Sequence, residues 1–351
     1  MQTTFARIAG IAVTLMSYSS GFAQQLQPNE FTAAQTPGLS LLLTGGNQFI
    51  VQNGNTANNG TLLFVDQRGD QLAVPFIGGL PSGITPNGMK FGPLASMLDG
   101  NTIYIALGES DEFHSTGPRF RFGARTSFSA PIVKVTVSTD PAKAGPFLLT
   151  AATRQDLLSG LPVTLADSSN NHATFSLVAD FGTGAHPVSL AVTPNAPDSL
   201  FVVDSASNRL LDIDLTNGAT RTLTVFPSTP ESVRALGPQL LVTVFSPLPN
   251  DSSVWSVDPV SGHAHIIVPQ LTSAVDAVVQ SKTGQNSVLV LENRADPNGS
   301  GRVLKVNSTG TVTTVLTDGL NDPTGLTIDE TTGSLFIYSR GDGIIYSFAL
   351  P

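Results

Sequence analysis

Residues 322–348 read DPTGLTIDETTGSLFIYSRGDGIIYSF. Three short runs of β-branched and aromatic residues are divided by ETTGS and SRGDG, which marks three strands joined by turns. A sheet this small has two faces to bury and cannot bury either alone. The stretch therefore makes sense only as one copy of a repeat. Its pattern is an x-Pro-x-Gly-apolar opening, a short strand, a Gly-rich turn, a second apolar strand, a polar loop and a third strand.

The pattern recurs in HPVSLAVTPNAPDSLFVVDSASNRLLDIDL (186–215) and in TPNGMKFGPLASMLDGNTIYIALGES (85–110), continued after an insertion by APIVKVTV (130–137). Further copies run through residues 36–80, 231–262 and 273–310. A fourth strand follows the third through a recurring turn: DLTNG precedes ATRTLTVF, DPVSG precedes HAHIIVPQL, and NSTG precedes TVTTVLTDGL. Asp or Asn opening such a turn and Gly closing it is what the backbone demands. Four-stranded units that hide both faces by radial stacking make a β-propeller. The openings, near residues 38, 87, 188, 232, 275 and 324, predict six blades. One interval of about 100 residues, twice the usual length, makes seven the runner-up. Residues 138–185 carry two plausible strands, PFLLTAA and ATFSLVADF, and a helix-like RQDLLSG, but no clear opening. They are read as insertions in one blade.

The last blade has three strands where its siblings have four. NEFTAAQ (29–35) is expected to supply the missing outer strand, so that an N-terminal strand closes the C-terminal blade. The blades are then expected at about 36–80, 81–185, 186–227, 228–271, 272–320 and 321–351 plus 29–35. They form a single domain over 24–351. Residues 1–23 read as a signal peptide: Arg7 precedes an apolar run, IAGIAVTLM, and Gly21-Phe22-Ala23 suits cleavage before Gln24. The expected location is secreted or periplasmic. The chain has no cysteine, which excludes disulfides and thiolate metal sites. Its net charge of −9, with only 17 Lys and Arg, argues against nucleic acid and a polybasic membrane patch. No stretch is long and apolar enough to span a bilayer as a helix, and a monomer is expected.

With those repeats in hand, residues 186–215, LTSAVDAVVQSKTGQNSVLVLEN (271–293) and GRVLKVNSTGTVTTVLTDGLNDPTGLTIDETTGSLFIYSR (301–340) resemble the ScyD/ScyE family of exported NHL-repeat-like propellers. The family's usual PDG turn is replaced here by ETTGS, SKTGQ and PNAPD. The resemblance implies the fold, and the family offers no established catalytic residues to carry over.

In such a ring the innermost strand begins, and the second ends, on one face around the central tunnel. Asn87, His186, Glu231, Asp276 and Asp322 stand at five blade openings and are the candidate ligand-binding residues of that face. The insertion GESDEFHSTGPRFRFGARTSFS (108–129) adds Arg119, Arg121 and Arg125 among Phe residues, a candidate lid for an anionic or aromatic ligand. The expected function is a non-catalytic exported propeller binding a small molecule or protein partner, with no catalytic residues and no cofactor expected. The alternative rests on PNGMKF, which resembles the PNG segment of SMP-30/gluconolactonase-type propellers. That resemblance implies a divalent-metal-dependent lactonase or esterase, with a cation such as Ca²⁺ held by Asn87, Glu231 and Asp276. A purely structural reading of the same residues is that Pro and Gly turn the chain into each blade while Asp and Asn cap the turns.

Overall fold

A computed structural model describes residues 5–8, 11–14, 28–32, 41–44, 47–52, 60–66, 73–84, 90–109, 129–282, 285–294, 299–329, 333–341 and 344–350. These residues build an all-β six-bladed β-propeller. The third blade comprises Pro187–Thr193, Ala196–Asp204, Arg209–Asp214 and Thr220–Val225 in simple antiparallel order. The fourth follows as Thr229–Leu236, Gln239–Phe245, Ser252–Val257 and Ala264–Leu271, and the fifth as Ala274–Lys282, Gln285–Glu292, Gly301–Asn307 and Val312–Leu320. The sixth runs Pro323–Asp329, Ser334–Ser339, Ile344–Ala349 and then Pro28–Thr32. This last pairing is antiparallel, with Ile345 opposite Phe31 and Phe348 opposite Pro28, and it supplies the closing strand that the sequence predicts.

The first two blades carry the additions. Leu41–Thr44, Asn47–Gln52, Gly60–Asp66 and Ala73–Leu80 make the first. Lys90–Asp99, Thr102–Glu109, Ser129–Val137 and His172–Thr183 make the second, flanked by Gly83–Ile84 inside and Val163–Ala166 outside. Phe147–Leu148, from the stretch assigned to the second blade, instead adds in parallel to the outer edge of the first. Packing explains the move: Phe147 meets Phe76 edge-on, with ring centroids 5.7 Å apart, and is fully buried. The helix-like segment is a helix, α1 (Ala151–Leu158), capped by Thr150 and holding Leu157 in the same core. A separate hairpin pairs Phe5–Ile8 with Ile11–Thr14.

The two-residue period of the strands explains the ring. In the second strand of the third blade, Leu200 and Val202 pack toward the second blade, while Phe201 and Val203 pack toward the fourth. In the fifth blade, Val290 faces the fourth blade and Leu289 and Leu291 face the sixth. Each sheet thus splits its apolar residues between two seams, and five seams are described as continuous cores. Burial at about 1.5–3 kcal/mol per large aliphatic side chain is the main stabilising term. The innermost strands touch one another in a closed cycle, the sixth against the first.

The recurring turns hold the blades in register. Gly218, Gly262 and Gly310 have φ of 75°, 74° and 80°. The preceding Asp214, Asp258 and Asn307 each accept a backbone N–H two residues on, at 2.8, 3.0 and 3.0 Å. Space matters as much as φ. A Cβ on Gly218 would lie 2.7 Å from the Val178 carbonyl of the preceding blade, and one on Gly262 would strike that of Leu223. Thr224 then donates to the Gly262 carbonyl at 2.6 Å, tying the third blade to the fourth.

Candidate functional site

In the third to sixth blades the innermost strand begins alike. One pair forms (two in the fourth blade), then one residue bulges out and pairing resumes; the bulged residues are Val188, Glu231, Val275 and Thr324. This common start assigns equivalent positions. Ser189, Ser232, Asp276 and Gly325 each follow the bulge, and Val233 and Leu326 stand one step further in.

The position after the bulge stitches innermost strands together near the axis. Ser189 Oγ accepts the amide of Val233 from the next blade at 3.0 Å. Asp276 does the same for Leu326 through Oδ2, at 3.1 Å. Its Oδ1 also takes the amide of Ala277 at 2.9 Å. The fourth blade completes the cluster: Arg234 donates from Nη2 to Asp276 Oδ2 at 2.6 Å and from Nε to Oδ1 at 3.3 Å. The same Nη2 lies 3.4 Å from the Leu326 carbonyl. One guanidinium therefore joins three blades. Burial acts to lower the Arg234 pKa, but the charge and hydrogen bonds of Asp276 outweigh it and the net direction is upward.

A second layer of acid–arginine pairs lies where the second strand ends. Asp204, fully buried, accepts the amide of His186 at 2.9 Å and Nη2 of Arg209 at 2.8 Å. Glu292, also fully buried, accepts the amide of Thr272 at 2.6 Å and binds Arg302. In the sixth blade a hydroxyl replaces the acid, and Asn321 donates to Ser339 Oγ at 2.9 Å. The arginine is kept: Arg340 Nε donates to Asp322 Oδ2 at 2.7 Å. Asn293 of the fifth blade reaches Asp322 Oδ1 at 2.7 Å, so this pair also spans a seam.

The predicted residues therefore fall at different levels. His186 and Asp322 directly precede Pro187 and Pro323. Glu231 is a half-buried bulge residue, and Asp276 lies one step deeper. His186 is buried, its Nδ1 2.8 Å from Ser205 Oγ. Asn87 and the insertion arginines Arg119, Arg121 and Arg125 lie outside the described residues. Among the described residues no group of three or more His, Asp or Glu side chains is placed to hold a metal ion. His263 and His265, rings 6.3 Å apart, sit exposed at the start of the outermost strand of the fourth blade, away from the axis. Sequence reasoning missed Arg234, Asp204 and Glu292. Aligning the blades at the bulge would have exposed the two acids, each closing a second strand ahead of an arginine.

Comparison with known proteins bears on the fold. No protein-family model matches the chain, and no curated protein sequence matches it. An auxiliary nutrient binding protein from Bacteroides thetaiotaomicron VPI-5482 superposes with a TM-score of 0.52 at 12% identity, covering 94% of this chain and 78% of that one. A structural genomics protein of unknown function from the same organism gives 0.51 at 11% identity, covering 96% and 79%. The WD40 β-propeller domain of Doa1 gives 0.50 at 10% identity, covering 93% and 97%. At such identity the likeness is one of architecture.

Proposed function

We propose that this chain is an exported, non-catalytic propeller of the ScyD/ScyE kind that binds a small molecule or protein partner through its tunnel face. The observation that carries the proposal is the commitment of that face's buried carboxylates to structure. Asp204, Glu292 and Asp276 are each held by an arginine and by backbone amides. Groups so engaged keep the rim in one geometry, and a preformed surface loses little entropy on binding. The neighbour known as an auxiliary nutrient binding protein places a binding role on a similar architecture.

The test uses the chain from Gln24 onward and a thermal-shift screen of sugars, amino acids, nucleosides and aromatic pigments. Hydrolysis of lactone and ester substrates is measured alongside, with and without Ca²⁺. Ligand-dependent stabilisation without turnover supports the proposal. Turnover that needs a divalent ion and disappears in Glu231→Ala overturns it in favour of a metal-dependent hydrolase. Export is checked by the mass of protein recovered outside the cytoplasm, which should begin at Gln24.

A further inference from the structure

Arg234 is oriented by one edge only. Asp276 takes Nε and Nη2, and the Leu326 carbonyl takes Nη2 again. Among the described residues no hydrogen bond reaches Nη1, and 24% of the side chain stays exposed although the strand that carries it is innermost. Ser232 precedes Arg234 by two residues and so projects from the same face of that strand. It is 5% exposed, and its Oγ is buried without a hydrogen-bond partner. The equivalent side chains are fully used: Ser189 bridges to Val233, and Asp276 bridges to Leu326. The amide that Ser232 would take by that analogy belongs to Ala277, and the Asp276 carboxylate already holds it.

A hydroxyl buried without a partner costs about 1–3 kcal/mol, a cost that a bound group can relieve. The donors left over here are the outward edge of a guanidinium and one hydroxyl. Asp276 keeps the guanidinium charged and fixed, and its own oxygens are already occupied by two amides and that guanidinium. Such a donor set suits the oxygens of an anion rather than a cation. We infer that the axis of the ring holds a site for a carboxylate or phosphate group, formed by the outward edge of Arg234 with Ser232. The inference rests on the tunnel being the binding face and adds the chemical class of the ligand.

Calorimetry of the chain from Gln24 with succinate and with inorganic phosphate, each at ionic strength matched with NaCl, tests it. Saturable one-to-one binding of either anion is expected. Succinate alone assigns the site to carboxylates, and phosphate alone assigns it to phosphoryl groups. Arg234→Lys should weaken binding roughly tenfold or more, because the ammonium cannot present a fork. Ser232→Ala should weaken it severalfold and leave the melting temperature unchanged or higher; it decides the matter if Arg234→Lys does not fold. Binding of neither anion beyond the chloride control overturns the site, as does equal affinity in both variants. A ligand from the thermal-shift screen that stabilises wild type and Arg234→Lys equally removes this site while leaving tunnel binding intact.

Discussion

Ser189 and Asp276 occupy the same place in two blades and do the same job with different chemistry. Each accepts an amide from the next innermost strand, at 3.0 Å for the serine and 3.1 Å for the aspartate. The serine stops there in satisfying amides, whereas the aspartate takes a second one and binds an arginine from another blade. What the third and fifth blades share is a hydrogen bond, and the residue that makes it varies. A carboxylate has acceptor capacity beyond what the stitch needs, and that surplus fixes Arg234 at the axis.

The comparison can be broken most forcefully at the aspartate. Asp276→Ala strands two amides and leaves Arg234 without its counter-charge, so chemical unfolding should show a loss of about 3–5 kcal/mol. A loss below about 1 kcal/mol would mean that water replaces the carboxylate freely. Asp276→Ser transplants the third blade's solution into the fifth. It should restore the stitch to Leu326 but not the hold on Arg234, and so recover only part of the alanine deficit in the same unfolding assay. Ser189→Ala, which removes one acceptor and strands no charge, should cost about 1–3 kcal/mol. A cost matching that of Asp276→Ala would show that the arginine contributes nothing to the difference.

The mildest version of the contrast lies in the outer turns, where Asp258 and Asn307 play one role in neighbouring blades. Hydrogen bonds from the Ser261 amide and hydroxyl are the main reason that the Asp258 pKa is lowered from 3.8 to about 2. A depressed folded-state value means that the contribution is full above pH 3.8 and is lost as the pH falls toward 2. Asp167 behaves alike, lowered to about 2 chiefly by the Asn171 side chain. Asp258→Asn copies the fifth blade's turn and should flatten part of the acid limb of a melting-temperature profile while changing little at pH 7. An unchanged acid limb would exclude this turn as a contributor.

The fold was legible because its signals are local. Alternation in runs such as LFVVD and the Asp/Asn-to-Gly turns are read within ten or so residues, and the closing strand followed from counting three strands where four were due. The site was not legible in the same way. Asp276 is readable as a blade-opening residue, but its partners lie 42 and 50 residues away in other blades. Nothing in ESVRAL marks Arg234 as the group that reaches them. Phe147–Leu148 joined a different blade from the one expected for the same reason: its partner strand, ending at Leu80, belongs to an earlier part of the chain.

The pairing of Pro28–Thr32 with Ile344–Phe348 has a consequence for biogenesis. The first of these segments leaves the ribosome well before the second exists, and must stay unpaired until Ile344–Phe348 has been made. Assembly can proceed wedge by wedge in the meantime, but the circle seals last. An exposed sheet edge in that interval is the moment at which the nascent protein most needs a chaperone.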